Sequence, residues 1–423
     1  MRYIFYLLLL IIAVSTRVFS QNIEWQKCYG GRSYDQANFI FQAKDKGYFL
    51  IMTTQSSEED IPGGAGDDDI WIVKLSADRN IVWQRRLGGM YKDVACQAQQ
   101  TADGGFIVTA WTSSVDGNVT GAHGGIDIWI LKLKPDGKIQ WGNCYGGSSD
   151  DFPKCVRQTK DGGYIIAGYT NSDNGNVSKN NGRTDIWVLK LKPNGKIEWK
   201  KCLGGSKNDY AYSIRQTDDG GYILAGGTYS GDGDIKENRG SSDLWVVKLD
   251  GSGKIESQGS FGGSNYDIAT DIFPLKDGGY IVAGSTQSVD GDVKGNHGSS
   301  DAWVLKISSD YEIVWQKCYG GGNSDYFDYI VPAEDGYLLA GGASSGDGDL
   351  NDNYGFNDIW IVKIGNGGNI IWQKNYGGQE IDTMHSFEPT SDKGYIISAD
   401  TYSKGNDVSG NHGENDGWIF KIK

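Results

Sequence analysis

Apolar and polar residues alternate in short runs along most of the chain, and these runs recur with a constant spacing. An Asp-x-Trp element opens one apolar run of each copy; it occurs seven times, at steps of 58 residues with one step of 57. The short step reflects a missing glycine at Asp335-Gly336-Tyr337, where most copies have Asp-Gly-Gly and an aromatic residue. A period this regular indicates a repeat architecture.

Each copy contains four segments with strand character, seen most clearly between residues 211 and 261. The strands predicted there are 211–217, 222–228, 243–249 and 255–261, joined by glycine-containing turns and one long loop. The third strand is apolar at consecutive positions, so both of its faces must be covered. No long stretch has helical periodicity. The pattern predicts an all-β fold, a seven-bladed β-propeller of four-stranded antiparallel blades.

The two ends of the repeat region complement each other. Residues 23–29 match a fourth strand without its preceding three, and residues 416–422 match a third strand without its fourth. We therefore expect the N-terminal strand to complete the last blade, which closes the ring. Because the four strands of a blade are antiparallel, the long loop after the second strand and the loop to the next blade after the fourth strand emerge on the same face. Their Asp-Gly-Asp sequences predict that this face is acidic and forms the binding surface.

Residues 1–20 read as a signal peptide, with Arg2 before an apolar run and a small-residue cleavage site before Gln21. The apolar run is about half the length of a membrane-spanning helix, which needs about 20 residues. We expect residues 21–423 to form a single domain that is exported to the periplasm, the cell surface or the medium, with no membrane span. The formal net charge of −14 argues against a nucleic-acid partner. A monomer is expected.

The repeat also resembles a known family. Its unit, Trp-Gln-Lys-x-Tyr-Gly-Gly followed by Asp-Gly-Gly-Tyr-Ile-x-Ala-Gly and Asp-x-Trp-x-x-Lys, is similar to tandem β-propeller repeats of secreted and cell-surface Bacteroidota proteins. The resemblance covers Ile23 to the last residue, and it implies a propeller fold and export. Many of those proteins end in a sorting domain for type IX secretion, and the last blade strand here is not followed by one, so we do not expect attachment by that route. A looser likeness links Gly137-Lys138-x-x-Trp141 to quinoprotein propellers.

Fourteen repeated aspartates are expected to be structural, because a catalytic group is needed once whereas a carboxylate that accepts backbone N–H bonds is needed in every blade. Seven follow the double glycine and seven precede the Trp: Asp35, Asp93, Asp151, Asp209, Asp267, Asp325 and Asp382, then Asp69, Asp127, Asp185, Asp243, Asp301, Asp358 and Asp416. The aspartates of the Asp-Gly-Asp loops are a separate set, and their clustered oxygen atoms could bind Ca²⁺. Solvated turns explain them better, since blades 2 and 3 carry Asn at these positions. No other cofactor is expected.

One pair of residues departs from the repeat at an informative position. Trp111 and Tyr169 occupy the end of the second strand in adjacent blades, where the other copies have small or polar residues. Local packing under a loop would explain them. The alternative is an aromatic platform for a sugar ring, since Trp and Tyr offer an apolar face with a polar edge. Trp111 and Tyr169 are therefore the candidate ligand-binding residues.

Two function classes remain open. The favoured one is an exported binding or interaction module that takes a glycan or protein ligand, because the sequence contains no nucleophile elbow, phosphate loop or repeated metal-ligand set. The alternative is a carbohydrate-active or quinone-dependent enzyme whose residues lie in the central channel.

The six cysteines fall into two groups. Four are expected to be unpaired, since they lie at equivalent places on the outer strands of different blades: Cys28, Cys144, Cys202 and Cys318. Cys96 and Cys155 lie in neighbouring first strands with registers offset by one residue, so they either form a bridge across the blade interface or point away from each other.

Overall fold

The computed structural model describes residues 22–57, 61–64, 66–350 and 353–423. These residues form 28 strands in seven four-stranded antiparallel sheets, which confirms the predicted seven-bladed β-propeller. Within the described residues there is no helix long and apolar enough to cross a membrane. The predicted signal peptide, residues 1–20, lies outside the described part of the chain and stays a prediction.

Each blade runs from the axis outwards in the order first, second, third and fourth strand. The first strands are β2 Asp35–Gln42, β6 Asp93–Gln100, β10 Asp151–Gln158, β14 Asp209–Gln216, β18 Asp267–Pro274, β22 Asp325–Ala333 and β26 Asp382–Pro389. The second strands are β3 Tyr48–Thr54, β7 Phe106–Thr112, β11 Tyr164–Thr170, β15 Tyr222–Thr228, β19 Tyr280–Thr286, β23 Gly336–Ala343 and β27 Tyr395–Thr401. The third strands are β4 Asp69–Leu75, β8 Asp127–Leu133, β12 Asp185–Leu191, β16 Asp243–Leu249, β20 Asp301–Ile307, β24 Asp358–Gly365 and β28 Asp416–Ile422. The fourth strands are β5 Ile81–Leu87, β9 Ile139–Tyr145, β13 Ile197–Leu203, β17 Ile255–Phe261, β21 Ile313–Tyr319, β25 Ile370–Tyr376 and, at the start of the chain, β1 Ile23–Tyr29.

The ring closes as predicted. The N-terminal β1 pairs with β28 in antiparallel register, with Ile23 opposite Ile422 and Cys28 opposite Trp418. Blade 7 therefore consists of β26, β27, β28 and β1. The indole Nε1 of Trp418 also donates to Gln26 Oε1 at 2.9 Å, so a side-chain bond supplements the backbone ladder across the closure.

The third strands form the middle of each core, which explains why they are apolar on both faces. Their Trp residues, such as Trp245, are fully buried, and neighbouring blades pack face to face around them. The Trp of the fourth strand links one blade to the next. Trp83, for example, donates its indole N–H to the Pro135 carbonyl in the turn of the following blade at 3.2 Å.

Each blade corner is built on two buried carboxylates, as expected for structural aspartates. Asp209 Oδ2 accepts the Gly205 N–H at 2.8 Å and the Ser230 hydroxyl at 2.9 Å. Asp185 Oδ2 accepts the Asn181 N–H at 2.7 Å, while its Oδ1 has no hydrogen-bond partner among the described residues. A Cβ on Gly204 would lie 2.7 Å from both Asp185 Oδ1 and Asp209 Oδ2. This close approach is why the first residue of the double glycine has no side chain.

The long loops and the inter-blade loops lie on one face, called here the loop face; the opposite side, with the tight turns, is the turn face. On the loop face, the exposed Asp232 and Asp290 accept the N–H groups of Ser206 and Ser264, each at 2.7 Å. Asn174 makes the same bond in blade 3, so an amide replaces the carboxylate without loss. Within the described residues no group of three or more His, Cys, Asp or Glu side chains is placed to hold a metal ion. Solvated turns stay the prediction for these loops, with calcium binding as the alternative.

The six cysteines, all in the described part of the chain, are free thiols. Cys155 Sγ points into the interface with blade 4, 3.6 Å from the Ile214 carbonyl, whereas Cys96 Sγ lies 3.8 Å from the Val94 carbonyl of its own strand. The two thiols turn away from each other, which is the second of the two arrangements allowed by their register. Three of the four histidines support blade corners: His297 and His412, for example, place Nδ1 2.7 and 2.8 Å from Asp301 and Asp416.

Candidate functional site

The first strands surround a central channel whose main cavity has a volume of about 850 Å³. Each of them has a β-bulge at its fourth residue, for example between Ala211 and Ser213; in β2 the bulge also includes the third residue. An extra residue at a bulge leaves the ladder and re-aims its side chain. The fourth residues of these strands occupy equivalent positions, and we call them the bulge ring: Asn38, Cys96, Lys154, Tyr212, Thr270, Asp328 and His385. The last five line the cavity.

On one side of the bulge ring a carboxylate lies beside an ion pair. His385 Nε2 lies 2.8 Å from Asp400 Oδ2, and Asp400 also accepts the Gln36 amide at 2.9 Å. Burial alone would lower the pKa of His385, but Asp400 and Asp328 raise it. Burial raises the pKa of Asp328 to about 7, although His385 and Lys154 favour its charged form. This wall therefore contains a carboxyl group that titrates near neutral pH.

Closer to the turn face, a second set of charged side chains lines the channel. Arg215 forms an ion pair with Asp271 through one nitrogen, Nη2, which lies 3.0 and 3.1 Å from the two carboxylate oxygens. Arg157 donates to the Val156 carbonyl at 3.0 Å. Burial raises the pKa of Glu388, partly offset by Arg157 and Arg215.

Trp111 and Tyr169 lie on the loop face beside the channel, but they do not touch each other. Phe152 stands between them, with ring centroids 5.9 Å from Trp111 and 5.1 Å from Tyr169. Tyr210 continues the row from Tyr169 at 5.0 Å. Tyr229 and Tyr266 follow at 6.0 Å each, and we call the whole row the aromatic arc: Trp111, Phe152, Tyr169, Tyr210, Tyr229 and Tyr266. All six rings keep part of their surface exposed.

The arc and the channel meet at one side chain. The Lys154 ammonium lies 5.8 Å from the ring centroids of both Tyr169 and Tyr212. These distances are near the outer limit of cation–π attraction. Lys154 therefore lies at the boundary between the aromatic surface and the charged channel.

The sequence singled out two of the six arc residues and none of the charged channel residues. The signal for the channel was the bulge-ring position, three residues after the repeated Asp, where the seven copies have seven different residue types. When the residue type varies among copies of an otherwise regular repeat, that position has no packing contact that all the blades share. The bulge that turns this position towards the axis leaves no mark in the apolar pattern, so sequence alone did not single it out.

No protein-family profile matches the chain, and no curated protein matches its sequence. Among solved structures, the extracellular region of plexin A4 is similar to this chain, with 8% sequence identity and a TM-score of 0.51. The match covers 93% of this chain and 51% of the plexin chain. A protein of unknown function from Bacteroides caccae has 13% sequence identity and a TM-score of 0.38. That match covers 70% of this chain and 93% of the Bacteroides chain. The β-propeller domain of the Trilobed protease from Pyrococcus furiosus covers 94% of each chain, with 9% identity and a TM-score of 0.45. At 8% identity the plexin match supports the β-propeller fold of this chain and nothing about its ligands.

Proposed function

We propose that this protein is an exported, non-enzymatic binding module that holds a glycan on its loop face, beside the mouth of the channel. The observation that carries the proposal is the aromatic arc. Its rings cross blades 2 to 5 in one continuous row, at centroid spacings between 5.0 and 6.0 Å.

The arc has the chemistry that a sugar ring needs. Trp and Tyr rings bury the apolar C–H face of a sugar while their N–H and O–H groups bond its hydroxyls. Three of the five neighbouring pairs of rings pack edge to face, as Tyr169 does on Tyr210 at an interplanar angle of 85°. This packing holds the side chains before the ligand arrives, which lowers the entropy lost on binding. The exposed Asp232 and Asp290 on the same face offer acceptors for sugar hydroxyls.

A glycan array followed by calorimetry tests the proposal. Removing the ring of Trp111 or Tyr169 should cost about 1.4 kcal/mol, or about tenfold in Kd, which is the value of about 55 Å² of lost apolar contact at about 25 cal/mol per Å². Tyr402→Ala is the matched control, because Tyr402 is an exposed loop-face tyrosine outside the arc. Circular dichroism checks that each variant is folded. Unchanged glycan binding by the Trp111→Ala/Tyr169→Ala double variant would contradict the proposal.

A second function is favoured by Asp328. A carboxyl group whose pKa is about 7 is suited to general acid catalysis at neutral pH, and Asp328 lies in a cavity large enough for a substrate. A carbohydrate-active or quinone-dependent enzyme with its site in the channel is therefore the alternative. Turnover of a polysaccharide that Asp328→Asn abolishes and Trp111→Ala leaves intact would establish the enzyme and overturn the binding module.

Export and the monomeric state belong to the same proposal. The resemblance to secreted Bacteroidota repeat proteins and the signal-like residues 1–20 support export. N-terminal sequencing of the protein recovered outside the cytoplasm should give Gln21 as the first residue. A mature protein that keeps Met1 would contradict it. Light scattering of that sample should give the mass of one chain.

A further inference from the structure

We propose that the central channel binds a short peptide with free ends, holding its carboxylate at Lys154 and Arg157 and its ammonium group at Asp328 and Glu388. This site is distinct from the aromatic arc and does not depend on glycan binding.

The four side chains share one feature: among the described residues, none of their charges forms an ion pair. Among the described residues, no hydrogen bond or ion pair involves the Lys154 ammonium or the carboxylates of Asp328 and Glu388, and all three side chains line the cavity. Arg157 makes one hydrogen bond, to the Val156 carbonyl, which leaves most of its guanidinium N–H groups available. A charge that lines a confined cavity and has no ion-pair partner there is available to a ligand of opposite charge, which gains the electrostatic attraction when it binds.

Two other pairs of charges in the channel are already neutralised. Arg215 is paired with Asp271, and His385 is paired with Asp400. These two pairs show that the channel forms ion pairs where opposite charges come within reach. The four unpaired groups are the ones that the ring keeps apart.

Their placement separates the two signs. Lys154 and Arg157 lie in β10 of blade 3, whereas Asp328 lies in β22 of blade 6 and Glu388 in β26 of blade 7. In a ring of seven, blade 3 faces the junction of blades 6 and 7. The channel is therefore positive on one wall and negative on the wall directly opposite, and each wall carries one group in the bulge ring and one nearer the turn face.

This polarity selects the ligand. A dianion would be repelled by Asp328 and Glu388, a diamine would be repelled by Lys154 and Arg157, and a neutral molecule would leave all four groups unpaired. A molecule with a carboxylate at one end and an ammonium at the other pairs with both walls. The guanidinium of Arg157 is also suited to a carboxylate, because its planar donors match the two oxygens.

The size and lining of the channel point to a peptide. A cavity of about 850 Å³ is within the range of small-molecule sites, about 300–1,000 Å³, and has room for several residues. Between the charged walls it is lined by half-buried apolar side chains, including Phe41, Phe273 and Val331. Small apolar side chains of a peptide would pack against them.

Trialanine and its capped forms provide the test. Calorimetry on the full mature chain should show binding of trialanine, with Kd at least tenfold weaker for N-acetyl-trialanine, which lacks the ammonium, and for trialanine amide, which lacks the carboxylate. Equal affinity for all three peptides, or no heat with trialanine at millimolar concentration, would overturn the proposal.

Channel variants then assign each end of the peptide. Glu388→Gln should remove the preference for the free amine over the acetylated peptide while keeping the preference for the free carboxylate, and Arg157→Gln should do the reverse. If Arg157→Gln does not fold, Lys154→Gln replaces it, because Lys154 is exposed in the channel. Lys138→Gln is the control for an exposed lysine in an outer turn, and it should leave all affinities unchanged.

The assignment would be contradicted if one variant lost both preferences, or if no variant lost either preference. Trp111→Ala should keep peptide binding, so failure of the glycan proposal and failure of this one are distinguishable.

Discussion

Replacing Asp185 by Asn should stabilise the protein at neutral and alkaline pH but not in acid. Asp185 is fully buried, its Oδ1 is unpartnered among the described residues, and Asp209 lies across the same corner. Burial, reinforced by Asp209 and Asp234, raises the pKa of Asp185 to about 6 from its usual 3.8, despite the N–H bond from Asn181. The folded state therefore holds a proton that the unfolded chain releases near pH 4.

The sign and size of the effect follow from this difference. Because the folded pKa is raised, the contribution of Asp185 to stability is lost as pH rises from about 4 through about 6, and it is constant above that. A shift of about two pKa units corresponds to about 3 kcal/mol. In Asp185→Asn the amide oxygen keeps the Asn181 N–H bond. The amide nitrogen takes the place of Oδ1 and carries no negative charge for Asp209 to repel.

Urea denaturation of both proteins from pH 4 to pH 8 measures the prediction. The free energy of unfolding of Asp185→Asn should exceed that of the natural protein by about 3 kcal/mol at pH 8, and the gain should vanish near pH 4. Asp161→Asn in the same blade is the matched control with the opposite sign. Although burial alone would raise the pKa of Asp161, the hydrogen bond from Lys190, whose Nζ lies 2.7 Å away, lowers it to about 2. That variant should be less stable above pH 4, and the loss should shrink as pH falls towards 2. A gain at pH 8 that persists at pH 4, or a destabilised Asp185→Asn at pH 8, would refute the reasoning.

Three further predictions concern the corners, the closure and the thiols. Gly204→Ala should destabilise the protein by about 1–3 kcal/mol, because the new methyl would meet two buried carboxylates, whereas Gly231→Ala, with no atom within 4 Å, should be close to neutral. A chain that starts at residue 32 lacks β1 and exposes the edge of β28, so we expect it to aggregate. Adding a peptide of residues 22–31 should reverse the aggregation. A soluble truncated chain with an unchanged Tm would show that closure is dispensable. Thiol titration under denaturing, non-reducing conditions should count six free thiols, and a count of four would show a disulfide that the structure lacks.

The sequence by itself determined the architecture, because each blade repeats the same packing requirements. Buried Trp, turn glycines and corner aspartates recur at a period of 58 residues, and this regularity is enough to predict the number of blades, the strand order and the closing pair. In blade 4 the predicted second, third and fourth strands agree with β15, β16 and β17. The first strand begins at Asp209, two residues before the prediction, because the carboxylate that bonds the corner is also the first residue of the ladder.

Only the tertiary structure determined which side chains meet at the axis. The bulge near the start of each first strand places its fourth residue at the channel in five of the seven blades, and a local change of register leaves no trace in an apolar pattern. Lys154 and Asp328 are 174 positions apart in the chain and become opposite walls of one cavity because the ring closes. Likewise, Trp111 and Tyr169 were evident as departures from the repeat, but Phe152 joins them into an arc only because the first strand of blade 3 packs between them. A repeated sequence encodes what each blade must bury, whereas the contacts that differ from blade to blade arise where the blades converge.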